Sequence, residues 1–404
     1  MKKIIGFVLC VVMVVMIFAA CAAPAAESSA PASESAAATE GSEENLPDAD
    51  ATAATDKDAA TPTSDIVVGL ANGYMGNTWR AQYVEAFETK AQELKDKGII
   101  KDFMSASTNT DVTEQLNQIN NMISNGVNAI LLNPISPASV APILAKCEAS
   151  GVLLVIATDP AAVDENMVEV LVDNKAFFEI MTKWFVDKLG GKGNIVQITG
   201  TPGMPADLVR QKVAEDILAQ YPDIKVLGSA PGSWSQTESQ SVMSTFLSTY
   251  DQIDGVLTQD VMAEGILRAY ETAGKDAPIM TGDYVFSFFR KWETLPDLEA
   301  CGATFQPQAS ADALQYAVRI LQGKTLTAEL GPNPLDETMI NAINIPPSYC
   351  VTKEAPAADA EWTKGYDKTQ FISLEEAIKL GEGQPDTASL GSSLSDEQWD
   401  EMFS

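Results

Sequence analysis

The 404-residue chain contains no histidine. Mechanisms that need an imidazole as general base or metal ligand are therefore closed to it. Cysteine is scarce: Cys10, Cys21, Cys147, Cys301 and Cys350, with no C-x-x-C among them. That spacing builds neither a zinc site nor a disulfide framework, so no metal is expected, although one pairing among the last three stays open. No G-x-S-x-G or H-E-x-x-H occurs, and Gly323-Lys324-Thr325 lacks the upstream glycine of a P-loop. Positive charge is short as well, with 26 Lys and Arg against 56 Asp and Glu and a formal charge of -30. Such a chain is repelled by nucleic acid phosphates, and the surplus acid reads as solubility. No cofactor, no nucleic acid partner and no catalytic chemistry are expected.

What is present begins with an export pattern. Lys2 and Lys3 precede an apolar run over residues 4–20, a charged segment followed by a hydrophobic one. The run is about 17 residues, the short limit for spanning a bilayer. It ends in Phe18-Ala19-Ala20-Cys21, which resembles the lipobox of bacterial lipoproteins with Phe in place of the usual Leu. The resemblance implies a signal peptide over 1–20 and acylation of Cys21, palmitate being one such chain. The competing reading is a retained single-span anchor. Residues 23–64 are rich in Ala, Ser, Glu, Thr and Pro, without aromatics. They bury too little apolar surface to offset chain entropy, so 21–64 reads as a lipidated cysteine and a disordered acidic tether. The expected location is the extracytoplasmic face of the cell membrane, held by two or more acyl chains.

From residue 65 the pattern alternates between β-branched runs and helical stretches. Strands are expected at 66–71, 129–132, 152–156, 168–172, 194–198, 224–227, 255–258, 278–281, 303–305 and 340–345. Helices are expected at 79–97, 112–125, 138–149, 175–189, 205–220 and 309–321. Such alternation predicts an α/β fold of two lobes, each a parallel β-sheet flanked by helices. The expected lobes are 65–172 with 308–338, and 173–307 with 339–353. Residues 354–404 read as an acidic extension on the second lobe with a short helix over 374–380 and a loose end.

In open α/β sheets ligands bind beyond the carboxyl ends of the strands. The residues just past each predicted strand, with Arg210 in the helix that follows 194–198, are therefore the site candidates: Trp79, Arg80, Thr158, Asp159, Arg210, Trp234, Gln259, Asp260, Asp283, and Gln306 with Gln308 as its alternative. Carboxylates and carboxamides accept from vicinal hydroxyls, a guanidinium donates, and an indole packs on the apolar face of a sugar ring. Each has a plainer reading. Trp79 and Trp234 suit a core, Arg80 and Arg210 a solvated helix face, Asp159 a turn before Pro160, and Asp283 a helix cap.

Several segments then resemble the periplasmic-binding-protein type I fold of bacterial ABC importers, in its ribose-binding branch. These are "GVNAILLNP" at 126–134, "VDNKAFF" at 172–178, "QITGTPGMPADLVRQKV" at 197–213, the helix-strand-helix run over 239–274, and "IMTGD" at 279–283. The resemblance covers about 66–351. It implies a hinge of three crossovers and a sugar-binding arginine at Arg210. It implies an aspartate at Asp283 and an aromatic stacker at Trp234. "GNTWR" departs from the ribose binders and is similar to galactofuranose-binding relatives, and Thr158-Asp159 stands where ribose binders have Asp-Arg. These departures leave the ligand as a monosaccharide or related polyol without choosing ribose.

The implied function is that of a monomeric solute-binding lipoprotein delivering its ligand to an ABC permease. A sugar-sensing protein that feeds a signalling receptor has the same cleft. A surface carbohydrate-active enzyme is the rival outside binding. A transcription regulator on this fold needs a DNA-reading element where this chain carries the export pattern and acidic tether.

Overall fold

A computed structural model describes residues 65–404. The apolar run, Cys21 and the tether lie outside the described residues. Among the described residues no helix is long and apolar enough to cross a membrane.

The first sheet holds β1 (Val67–Asn72), β2 (Asp102–Ser107), β3 (Ala129–Asn133), β4 (Leu153–Thr158) and β5 (Glu169–Val172), joined by β11 (Gly331–Pro332) and β12 (Ile340–Ile345). Its order is β11-β12-β5-β4-β3-β1-β2, parallel except for the β11–β12 edge. The helices of this lobe are α1 (Thr78–Asp96), α2 (Val112–Ser124), α3 (Val140–Ala149) and α9 (Ala309–Leu321). Successive strand residues point to opposite faces. Ala129 and Leu131 of β3 thus join one core with Tyr83 and Phe87 of α1, while Ile130 and Leu132 join another with Ile119 and Ile143 of α2 and α3.

The second sheet holds β6 (Gly193–Thr199), β7 (Ile224–Pro231), β8 (Gly255–Thr258), β9 (Ile279–Thr281), β10 (Ala300–Ala303), β13 (Cys350–Thr352) and β14 (Phe371–Ser373). Its order is β14-β13-β10-β9-β8-β6-β7, with only β10–β13 antiparallel. The helices are α4 (Asn174–Lys188), α5 (Pro205–Leu218), α6 (Gln236–Thr249), α7 (Ala263–Ala273), α8 (Phe286–Glu293) and α10 (Leu374–Leu380); α11 (Asp396–Glu401) closes the chain. Trp184 of α4 and Trp292 of α8 are wholly enclosed. Cys301 on β10 and Cys350 on β13 stand with their sulfurs 3.5 Å apart, both as free thiols.

The chain passes between the sheets at Asp173, between Ala303 and Ala309, and between Ile345 and Cys350. The last crossing corrects the expected boundary. The sequence pattern places 339–353 on the second lobe, but β12 within it pairs in parallel with β5 of the first. Both sheets offered an open edge to this apolar run, and sequence pattern does not encode which edge is taken. The strand expected at 303–305 ends at Ala303 instead, which frees Phe305. β2 is a strand that apolar pattern missed, because only one of its residues is a large aliphatic or aromatic besides Met104.

The extension is not loose at its end. β14 and α10 belong to the second lobe, as expected, but Trp399 of α11 is fully buried against α9 of the first. An acidic, turn-rich stretch hides this: its few aromatics are spaced too far apart to show a period.

Candidate functional site

In each sheet one strand is flanked by its two successors. β1 lies between β2 and β3, and β6 lies between β7 and β8. These are the topological switch points where a crevice opens beyond the strand ends. The two crevices meet in one cavity, lined by Asn77, Trp79, Arg80 and Asp159 of the first lobe, Ala206, Arg210, Trp234, Asp260 and Val261 of the second, and Phe305 of the crossing between β10 and α9.

In the first lobe, Asn77 caps α1 by accepting from Arg80 N at 3.0 Å, which fixes where the helix starts. Arg80 then reaches across the strand ends. Its guanidinium donates to Asn133 Oδ1 (2.7 Å) and Asp159 Oδ2 (2.9 Å), and Asn133 Nδ2 donates to the same Asp159 oxygen (2.8 Å). Asp159 Oδ1 is buried and has no partner among the described residues. The guanidinium carbon sits 4.8 Å from the Trp79 ring, which itself stacks on Tyr83.

The second lobe repeats the arrangement with different residues. Arg210 donates through Nε to Asn174 Oδ1 (3.0 Å) and through Nη1 to Asp260 Oδ1 (2.8 Å), and the Tyr284 hydroxyl donates to the other Asp260 oxygen (3.0 Å). Phe177 and Phe305 each lie 4.5 Å from the Arg210 guanidinium, the range of a cation–π contact. The indole N–H of Trp234 is buried without an acceptor among the described residues. Burial, followed by the charge of Asp260, pushes the Tyr284 phenol well above its ordinary value.

Four more expected residues stand behind this surface. Thr158 is buried and ends β4. Gln259 turns its amide to Asp207 (2.7 Å), whose carboxyl burial raises and whose other contacts include Gly200 N. Asp283 accepts from Met262 N (3.2 Å) and Ala263 N (3.1 Å), so it caps α7 rather than facing the cavity. Burial first, then the nearby charges of Asp260 and Glu264, hold its carboxyl toward the protonated form. Gln306 donates to Pro346 O at the hinge, and Gln308 precedes α9. The structure thus brings Trp79, Arg80, Asp159, Arg210, Trp234 and Asp260 together and sets Thr158, Gln259, Asp283 and Gln306 one layer back.

Sequence reasoning missed Asn133, Asn174, Phe177, Tyr284 and Phe305. Asn133 had a signal: it ends a strand and precedes Pro134. Phe177 and Phe305 had none, because an aromatic among apolar neighbours reads as core.

The backbone carries a second mark. Thr158, Trp234 and Val261 adopt φ of 76°, 53° and 46°. Positive φ in a β-branched or aromatic residue costs on the order of 1–3 kcal/mol and persists where surrounding structure imposes it, most often at functional sites. All three lie at the ends of strands that face the cavity or in the loops beyond them.

The chain belongs to the family described as periplasmic binding protein domain, whose model matches residues 68–325. This is a family of solute-binding proteins rather than of enzymes. Among curated proteins, the chain is 34% identical over 178 residues to the xylitol-binding protein of Mycolicibacterium smegmatis, covering 44% of this chain and 51% of that one. It is 30% identical over 175 residues to a D-apiose import binding protein of Paraburkholderia graminis, covering 43% and 56%. The chain therefore spans about half the length of these relatives. Among solved structures, a solute binding protein of an ABC transporter from Thermobispora bispora superposes with a TM-score of 0.63 at 20% identity, covering 82% of this chain and 99% of that one. An arabinose-transporter binding protein from Shewanella, bound to L-arabinofuranose, gives 0.63 at 20% identity, covering 79% and 95%. At that identity the likeness establishes the two-lobed fold.

Proposed function

We propose that this protein captures an uncharged monosaccharide or polyol between its lobes and delivers it unaltered to an ABC permease. One observation carries the reading: two buried arginine–carboxylate pairs, one from each lobe, share a cavity with two indoles. Each pair is internally neutral, so the cavity offers oriented donors and acceptors without net charge. Vicinal hydroxyls suit it, since each both donates and accepts. Asp159 Oδ1 is the natural acceptor for a ligand hydroxyl, and the Trp79 and Trp234 rings are the natural platforms for its C–H face. Relatives named for xylitol, D-apiose and ribose support the same ligand class.

Contacts from both lobes favour the closed arrangement, so ligand binding closes the hinge. Thr158, Gln259, Asp283 and Gln306 act by positioning the residues that touch ligand. The protein works as a monomer, held at the membrane by a lipid on Cys21. The tether over 23–64 confines it near its permease and raises its effective concentration there.

A thermal-shift panel of pentoses, hexoses, pentitols and inositols tests this. Binding stabilises the folded state by about 2.7 kcal/mol at a hundredfold excess over Kd. At least one such ligand raises the melting temperature, and Asp159→Asn abolishes that shift. A folded protein that responds to none of them, or that converts its ligand, overturns the reading.

A further inference from the structure

The three crossings between the sheets are not the only places where the chain joins the lobes. Residues 384–390 are fastened to the second lobe. Ser287 N donates to Asp386 O (2.9 Å), Phe286 N to Ala388 O (3.0 Å), and Leu390 N to Tyr284 O (2.8 Å). Arg290 on α8 pairs with the Asp386 carboxylate and donates to Gln384 O (2.9 Å).

Residues 394–404 are fastened to the first lobe. The buried Asp312 carboxylate on α9 accepts from Leu394 N (2.9 Å) and from the indole N–H of Trp399 (2.9 Å). Arg319, about two turns further along the same face of α9, donates to Asp396 O (3.2 Å) and the Asp400 carboxylate (2.9 Å). Lys90 of α1 pairs with Asp396 (2.8 Å), and Ser404 and Thr325 exchange backbone hydrogen bonds.

Between the two anchorages lie Gly391, Ser392 and Ser393. Four peptide steps from Leu390 to Leu394 span at most about 14 Å. The two anchor points, Leu390 at Tyr284 of the second lobe and Leu394 at Asp312 of α9, cannot part further than this unless one of them lets go. Gln82, two residues past Arg80 on α1, adds a clasp at the α1–α8 edge. Its Nε2 donates to Thr387 O (2.8 Å), and its Oε1 accepts from Ser389 N (2.9 Å), on backbone that is bonded to the second lobe.

We propose that residues 384–404 are a fourth interlobe connection, a strap that limits how far the lobes open at the α1–α8 edge. The ligand-free protein then opens less than three crossovers alone allow, and ligand enters from the opposite edge. The proposal rests on the lobe motion proposed above. The short tether keeps the open state close to the closed one, so less chain entropy is lost on closing.

The test is an interlobe distance in the ligand-free full chain. Thr113→Cys on α2 and Lys212→Cys on α5 are exposed and carry spin labels or a FRET pair, while Cys147, Cys301 and Cys350 are buried. Cys10→Ser and Cys21→Ser remove the N-terminal thiols. Inserting Gly-Ser-Gly-Ser-Gly-Ser between Gly391 and Ser392 keeps both anchorages and lengthens the tether by about 20 Å at full extension. A second variant ends at Ser392 and loses the first-lobe anchorage. The expected result is a longer and broader ligand-free distance in both variants. The insertion carries the test alone where the truncated chain fails to fold. An insertion variant with the distance of the parent chain overturns the strap. Xylitol, ribose and arabinose added to the parent chain examine the closure reading separately. A parent distance that none of them changes counts against closure, while the ligand-free comparison still decides the strap.

Discussion

At the scale of single residues, the second-lobe pair is the sharpest case. Arg210 and Asp260 are both nearly inaccessible, with side chains 2% and 6% exposed. Removing one member of a buried pair leaves an uncompensated charge and costs about 3–5 kcal/mol, whereas replacing both by apolar residues is often close to neutral. Asp260→Leu alone therefore destabilises strongly. Arg210→Met with Asp260→Leu recovers most of that loss, as read by urea unfolding. Ligand binding is absent from both. A double variant that unfolds as readily as the single one would make the pair a requirement of the fold rather than of the site.

Asp312 gives a prediction of a different kind. Burial raises its carboxyl to about 7, partly offset by the donors Trp399 and Leu394 and the charge of Lys90. An exposed aspartate loses its proton near pH 4. Between about pH 4 and pH 7 the folded state thus holds the proton more tightly than the unfolded state. This contribution is complete below about pH 4 and lost as pH rises through about 7. Both donors meet Asp312 Oδ1, and Oδ2 has no partner among the described residues, so an amide fits in place of the protonated acid. Asp312→Asn should melt level with the parent near pH 4 and above it near pH 8. Parallel melting curves across that range would show that Asp312 keeps its charge when buried.

At the scale of elements, the loops after the strands do the positioning. The turn after β4 presents Asp159, and Glu169 of β5 holds it from behind. Glu169 is fully buried and accepts from Ala161 N (3.0 Å) and Ala162 N (2.9 Å), one with each carboxylate oxygen. Glutamine supplies only one such acceptor, and its amide meets a second donor. Glu169→Gln should weaken ligand binding about tenfold or more, on the scale of one lost buried hydrogen bond at about 1–3 kcal/mol. Calorimetry with whichever sugar the thermal-shift panel selects measures it, and restored affinity is not expected from any polar residue shorter than glutamate. The loop after β6 offers a steric counterpart. A Cβ on Gly200 would lie 2.3 Å from the Trp234 ring, so Gly200→Ala should displace that indole and cut affinity.

Much of this level was legible beforehand. β1, β3, β4, β6 and β8 are apolar runs with a turn after them, and the helices between carry an apolar face. The strand-end rule picks out Arg80, Asp159 and Asp260, the helix after β6 supplies Arg210, and all four line the cavity. The same rule picks out Asp283, whose carboxylate accepts from the start of α7. A carboxylate just past β9 has two destinations, the cavity and the nearby start of α7, and only packing selects between them.

At the scale of the whole molecule, three segments carry the chain between the lobes and a fourth returns at its end. The first two crossings coincide with breaks in the alternation at Asp173 and after Ala303. The third and fourth do not. Attachment also belongs to this scale. If Cys21 carries the proposed lipid, the intact protein should take up labelled palmitate and sediment with membranes, and Cys21→Ala should do neither. Labelling that persists in the variant would mean that Cys21 is not the lipidated residue.

The sequence by itself determined the α/β alternation, the absence of imidazole chemistry and the chemical character of the strand-end residues. These follow from local pattern and composition, which need no knowledge of what lies across the fold. The tertiary structure decided that β12 completes the first sheet and that Trp399 is buried beneath the first lobe's α9. It also decided that Asp260 rather than Asp283 faces the cavity. Those outcomes depend on which of several compatible surfaces meet, a long-range choice that neither periodicity nor residue type encodes.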